Sequence, residues 1–153
     1  MSSIGKIEDC MLRINGLVPK DVCNYFIEIF EQYPELHQIE GSYKYKTQKR
    51  ENDNFKNINL SALEKINSSF KEPHDLAKKF ISIMITNYVF HVQKNICPSF
   101  SNQFFTTTNN IRILRYRVGE SIKDHSDVGP NIRASCTLNL NEDYKEGWGF
   151  DSW

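Results

Sequence analysis

Nothing in this chain of 153 residues is long and apolar enough to cross a membrane. A spanning helix needs about 18 consecutive apolar residues, and no run approaches that. The opening, MSSIGKIEDC, has no apolar h-region, so no secretory signal is visible and a cytoplasmic location is expected. A net charge is missing too. Nineteen basic residues balance nineteen acidic ones, which leaves no global field to draw a polyanion and argues against a general nucleic-acid or acidic-membrane binder. The four cysteines, Cys10, Cys23, Cys97 and Cys136, form no CxxC pair and match no zinc framework, so reduced thiols are expected. Internal repeats and low-complexity tracts are absent. There is no Gly-x-Ser-x-Gly elbow and no HExxH helix, which sets a hydrolase reading aside.

What is present is a foldable domain. Hydrophobic residues make up 39% of the chain and aromatics 12%, too many for a disordered segment. A chain of this length can bury most of its unfolded surface, so one domain with a real core is expected.

The first half reads as helical. Pro19 suits a first helical position, where its missing N–H costs nothing, and Asp21 favours the helix dipole. Val22, Phe26, Ile29, Phe30 and Tyr33 repeat at three and four residues as one apolar stripe, which Pro34 closes. Residues 38–59 are polar and irregular. Tyr43 and Tyr45 alternate with Lys44 and Lys46 as a short strand pattern. Lys46 to Lys56 reads as a solvated loop or a substrate-facing lid. Ser61 with Glu64 is a capping-box pattern for a short helix to about Phe70. Pro73 opens a longer helix whose residues Leu76, Phe80, Ile81, Met84, Ile85, Tyr88, Val89 and Val92 form a wide apolar face, to be buried against a sheet.

After Pro98 the texture changes. Segments 100–106, 111–118 and 132–140 are short, partly β-branched or aromatic, and bounded by Asn, Gly and Pro, so they read as strands. In the last of these, Ala134, Cys136, Leu138 and Leu140 alternate with Arg133, Ser135, Thr137 and Asn139, an apolar face against a polar one. Helices first and strands second give an α+β class, with helices against an antiparallel sheet. Residues 1–98 form a mostly helical support region and 99–153 a β region of one domain.

His125 and Asp127 carry the candidate chemistry. On an extended segment, residues two apart project from the same side at roughly 6 to 7 Å between Cα atoms. An imidazole nitrogen and a carboxylate oxygen so placed can converge on one metal, as two thirds of a two-His, one-carboxylate facial triad. The spacing is also compatible with a surface turn in which Asp124 or Asp127 caps a backbone amide.

The surrounding run, Arg115-Tyr116, then Gly119, then His125-Ser126-Asp127, has the form RY-x2-G-x5-H-x-D. It resembles the iron(II)- and 2-oxoglutarate-dependent dioxygenases, in their prolyl 4-hydroxylase-like branch. Leu138 to Tyr144 also looks like that family's strand and loop after the metal motif, so the resemblance covers roughly residues 111–147. It implies N-terminal helices packed on a partial double-stranded β-helix of jelly-roll, cupin-like type. His125 and Asp127 would be the Fe(II) ligands. Tyr116, Asn139 and Thr137 would contact 2-oxoglutarate, and ascorbate would be an accessory reductant. The substrate would be a peptide or a small molecule.

The family completes its site with a distal His and a later Arg or Lys that binds the far carboxylate of 2-oxoglutarate. This chain stops at Trp153 before either. Tyr144 to Phe150 holds the elements of the family's Tyr-x-Gly-Gly-x-Phe in altered order. The expectation is therefore an enzyme incomplete at its C-terminus, weakly active or inactive as this chain alone. A half-built β-helix would leave an apolar face and unpaired edges, so a homo-oligomer or a completing partner chain is expected. The competing expectation is a non-catalytic interaction module that uses the exposed sheet face.

Overall fold

The computed structural model describes residues 10–39, 55–108, 110–120 and 134–141. Within these, helices and a small antiparallel sheet share one core, a mixed α+β arrangement. The element order is α1 (Lys20–Gln32), β1 (Gln38–Ile39), β2 (Lys56–Asn59), α2 (Leu60–Leu63), α3 (Lys71–Asn95) and β3 (Arg112–Arg115). The sheet runs β1-β2-β3, with each neighbouring pair antiparallel. No helix among the described residues is long and apolar enough to cross a membrane.

Helix α1 forms where its apolar stripe lies, and Cys23, Phe26, Ile29 and Phe30 are buried. Pro19 precedes the helix instead of opening it. Its φ of −59° and ψ of 149° are extended, while its carbonyl accepts the first helical bond from the Cys23 N–H at 3.0 Å. The C-terminal end is closed by a side chain. His37 Nε2 donates to the Phe30 carbonyl at 2.7 Å, and its ring stacks on Phe30 at 4.1 Å. A carbonyl left without an intrahelical partner thereby gains a donor.

The long helix is α3, and it begins before Pro73. Lys71 and Glu72 are its first residues. Proline fits in the first turn because the N–H it lacks would have no helical acceptor there. Phe80, Ile81, Val89 and Val92 of the expected apolar face are buried, together with Ala77.

Three local expectations are corrected. The capping box at Ser61 and Glu64 does not form. Asn59 caps α2 instead, its Oδ1 accepting from the Ala62 N–H at 3.0 Å, and α2 stops after one turn. Ser61 Oγ accepts from the Ile111 N–H at 2.9 Å, across 50 residues of chain. A buried backbone donor that needed a partner outcompeted the local cap. Secondly, segment 100–106 is not a strand. Residues Asn102–Phe104 form a 3-10 turn with Ser101 Oγ accepting from the Gln103 N–H. Phe100 stacks on Phe104 at 5.3 Å, and Tyr88 of α3 meets Phe105 edge-on at 6.2 Å. Those aromatics pack locally against one helix, which an extended chain with alternating faces would prevent. Thirdly, residues 134–140 form no strand, although exposure does alternate over 137–141, with Leu138 and Leu140 half-buried.

Strand β3 occupies the centre of the expected 111–118 segment. Asn110 enters it with φ +56°, a left-handed conformation that asparagine tolerates better than most residues. Strands β1 and β2 lie in the stretch 38–59 that reads as polar and irregular. Ile58 supplies the one apolar side chain within β2, and pairing with β3 completes the strand. The pattern at Tyr43 and Tyr45 lies outside the described residues.

The core joins the two layers. Phe26, Ile29 and Phe30 of α1, Ile58 of β2, Leu60, Phe70, Ala77 and Ile81, and Ile111 and Ile113 beside and on β3 form one buried cluster. The expectation that the long helix packs on a sheet therefore holds.

Candidate functional site

The sheet has two faces, and its register tells them apart. Lys56 pairs with Arg115, Asn57 with Leu114, Ile58 with Ile113 and Asn59 with Arg112. Alternation along each strand places Ile58, Ile113 and Arg115 on the face toward the helices. The contacts agree. Ile58 and Ile113 join the core cluster with α1 and α3. The Arg115 guanidinium lies over the Phe30 ring at 5.0 Å, and Nη1 donates to Glu31 Oε1 at 2.7 Å. The opposite face carries Phe55, Asn57, Leu114 and Tyr116. Phe55 and Asn57 are each only 1% exposed.

Tyr116 follows directly on β3. It is half-buried, and its ring lies 4.5 Å from that of Phe55 with 30° between the planes. Asn57 Nδ2 donates to the Gln38 carbonyl at 3.3 Å, which ties β1 to the same face. This face is thus a strand-borne arrangement of a phenol, a carboxamide and two apolar side chains.

The chain then turns. The Glu120 N–H donates to the Arg117 carbonyl at 2.9 Å, and the Arg117 N–H donates to Glu120 Oε2 at 2.8 Å. Gly119 occupies the third turn position with φ +83°, the region a type II turn demands there. A turn that demands positive φ is reason enough for a glycine here. Nothing lies within 4 Å of where a Cβ would stand, so only the backbone resists a side chain. Gly119→Ala should therefore lower stability by about 1–2 kcal/mol, the cost of a left-handed conformation for an L side chain. Gly119→Asn should cost less. A pair of urea denaturation curves checks this, and equal losses for both variants would contradict a conformational cause.

His125 and Asp127 lie outside the described residues. Thr137 and Asn139 are exposed, in a segment that forms no strand. The strand position expected for them is therefore not observed. Leu140 packs against the helix-side cluster instead, which anchors this segment to the core.

The other histidines all belong to the helical layer. His37 caps α1, as described. His74 is buried in the first turn of α3, its Nδ1 3.8 Å from Glu64 Oε2 and 3.7 Å from Asp75 Oδ1. His91 lies near the end of α3, with Asn95 Nδ2 at 2.8 Å from its carbonyl. All four cysteines are free thiols. Among the described residues no group of three or more His, Cys, Asp or Glu side chains is placed to hold a metal ion.

Two shallow grooves flank α3. One, of about 260 Å³, is lined by Thr86, Val89, Gln93, Ser101 and Asn102. The other lies by Ser68, Lys71, Asp75 and Lys79. There a hydrogen bond from Lys71, with its positive charge in support, holds the Asp75 carboxyl below its usual range. Neither groove is lined by residues of the Tyr116 face.

Phe55 and Asn57 are the residues of this face that sequence reading passes over. Their signal is faint, since Asn54-Phe55-Lys56-Asn57-Ile58-Asn59 is mostly polar. Only the alternation that sets Phe55, Asn57 and Asn59 against Lys56 and Ile58 marks it. The chain matches no protein-family model, no curated protein and no solved structure.

Proposed function

We propose that the chain is an Fe(II)- and 2-oxoglutarate-dependent dioxygenase of prolyl 4-hydroxylase type. Its helices would support a double-stranded β-helix of which β1 to β3 are part. The observation that carries this reading is the run RY-x2-G-x5-H-x-D together with the position of its tyrosine. Tyr116 stands on the face of the sheet away from the helices, where such a fold keeps its interior. Arg115, one residue earlier, faces α1, and Gly119 turns the chain after β3 with positive φ.

The donor chemistry fits the metal. Imidazole and carboxylate are ligands that Fe(II) accepts, and two of them leave cis positions open for a co-substrate. His125 and Asp127 would hold the ion. Bound Fe(II) would supply the chemistry by which dioxygen hydroxylates a C–H bond of a peptide or small-molecule substrate, one oxygen atom going to that bond and the other to 2-oxoglutarate, which would leave as succinate and carbon dioxide; ascorbate would be an accessory reductant. Tyr116 would donate its phenolic O–H to a co-substrate carboxylate. Thr137 and Asn139, both exposed, would offer further polar contacts. The protein's task in such a site is to keep metal positions open and to exclude water.

The remaining histidines support low activity for this chain by itself. His37, His74 and His91 all belong to the helical layer, where His37 already bonds the Phe30 carbonyl, which speaks against a third imidazole ligand from them. Mn(II), titrated into the chain and followed by electron paramagnetic resonance, should bind at one site. Asp127→Ala and His125→Ala should each weaken that binding by more than about tenfold, since loss of even an outer-shell partner of a ligand costs that much. Succinate release with Fe(II) and 2-oxoglutarate should stay near background. Absence of any Mn(II) or Fe(II) site would sink the reading. Robust turnover abolished by His125→Ala would show instead that the chain completes its own ligand set.

A further inference from the structure

The run that ends in His-x-Asp names Tyr116 but nothing that orients it. Tyr116 stands one residue beyond the last bonded pair of the β2–β3 ladder, just before the turn at Gly119. The ladder alone therefore leaves its ring less determined than that of a residue inside the strand. Phe55 stands in the matching place, one residue before β2. Carrying the pairing of Lys56 with Arg115 one step outward sets Phe55 directly opposite Tyr116. The two rings are 4.5 Å apart and tilted by 30°, and Phe55 is 1% exposed. A buried aromatic has few orientations open to it, so its partner across the strands inherits that restriction.

We infer that Phe55 is a positioning residue for Tyr116, its ring holding the phenol in the orientation that meets the co-substrate. The ligand in this statement rests on the dioxygenase reading above; the positioning rests on ring geometry alone. Strand β2 thus forms a second wall of the site, supplied by a stretch with no part in the metal run. Phe55 would act through Tyr116 and touch no reacting atom.

The experiment uses the full chain with ring-labelled tyrosine. Tyr116→Phe assigns the Tyr116 ring signals in the NMR spectrum. In the native chain those protons should be displaced upfield by the Phe55 ring. Phe55→Leu should return them toward ordinary values, and Phe55→Tyr should keep them displaced. Where Phe55→Leu does not fold, Phe55→Met keeps the bulk without the ring. Ile58→Val, on the opposite face, should leave the Tyr116 signals in place. Calorimetric titration with 2-oxoglutarate in the presence of Mn(II) gives the second readout. Loss of the Phe55 ring should weaken binding about three- to tenfold, the range that aromatic pairs are worth. Phe55→Tyr should rescue it. Tyr116 signals that ignore Phe55→Leu would overturn the positioning. Moved signals with unchanged 2-oxoglutarate affinity would overturn its link to the ligand. Failure of the native chain to bind 2-oxoglutarate would remove the dioxygenase reading and that link with it, and the ring signals would still decide the positioning.

Discussion

Ile58→Ala is expected to destabilise the protein by about 3–4 kcal/mol. Ile58 is 0% exposed, in the middle of β2, and belongs to the cluster that joins sheet to helices. The substitution removes three buried carbons, worth about 0.8 kcal/mol each in transfer from water. The rest comes from the cavity, because a site walled by a paired strand on one side and two helices on the other can relax little. At this chain length such a loss corresponds to a fall in Tm of roughly 10 °C. Guanidinium denaturation measures it, with Ile66→Ala as the comparison. Ile66 is 81% exposed, so its truncation should stay within about 0.5 kcal/mol. A loss under about 1 kcal/mol for Ile58→Ala would mean that β2 does not bind the two layers together. The test also matters for the site, since the strand that buries Ile58 on one face carries Asn57 on the other and follows directly on Phe55.

Phe70→Ala should cost about 3–5 kcal/mol, the range for emptying a buried aromatic position. Phe70 is 1% exposed and ends the short 3-10 turn Ser68–Phe70, directly before α3. Its ring lies 5.0 Å from that of Tyr33 beyond the end of α1. It therefore closes the junction at which α1 and α3 meet over the sheet. Phe70→Leu should recover more than half of the loss. The double variant with Ile58→Ala should depart from the sum of the two single losses, because both positions share the partners of one cluster. Strict additivity in denaturation experiments would place Phe70 and Ile58 in separate cores and contradict the single cluster described.

Much of the helical layer was legible in the sequence. The stripe Val22, Phe26, Ile29, Phe30 located α1 to within a residue or two. The apolar face from Leu76 to Val92 located α3 and its burial against a sheet. Helical periodicity is a local property, and a long stripe repeats it often enough to be read. The sheet was less legible. Strand β2 has four residues, Lys56–Asn59, with a single apolar side chain, and it became a strand by pairing with β3. Segment 100–106 misled in the opposite direction, since its aromatics suit a strand but found a helix to pack on. Ser61 and Glu64 matched a capping box, yet Ser61 was drawn to Ile111.

For the candidate site, Gly119 was legible because a turn at that position needs positive φ. Tyr116 drew notice by its place in a spaced run, but which face of the sheet it takes was not legible there. Thr137 and Asn139 were expected on a strand that does not form among the described residues. Phe55 was invisible because its importance comes from a residue on another strand.

By itself the sequence determined where apolar stripes make helices, that one core can form, and which residues offer an imidazole, a carboxylate and a phenol in one run. These follow from the order of side chains within a few turns or a few residues. The tertiary structure alone decided that Lys56–Asn59 is the central strand, that Ser61 bonds to Ile111, and that Phe55 meets Tyr116 on the face away from the helices. Each of those joins residues some fifty or sixty positions apart. No local pattern encodes such contacts, because a short polar strand gains its stability from pairing and burial that exist only after the chain has closed on itself.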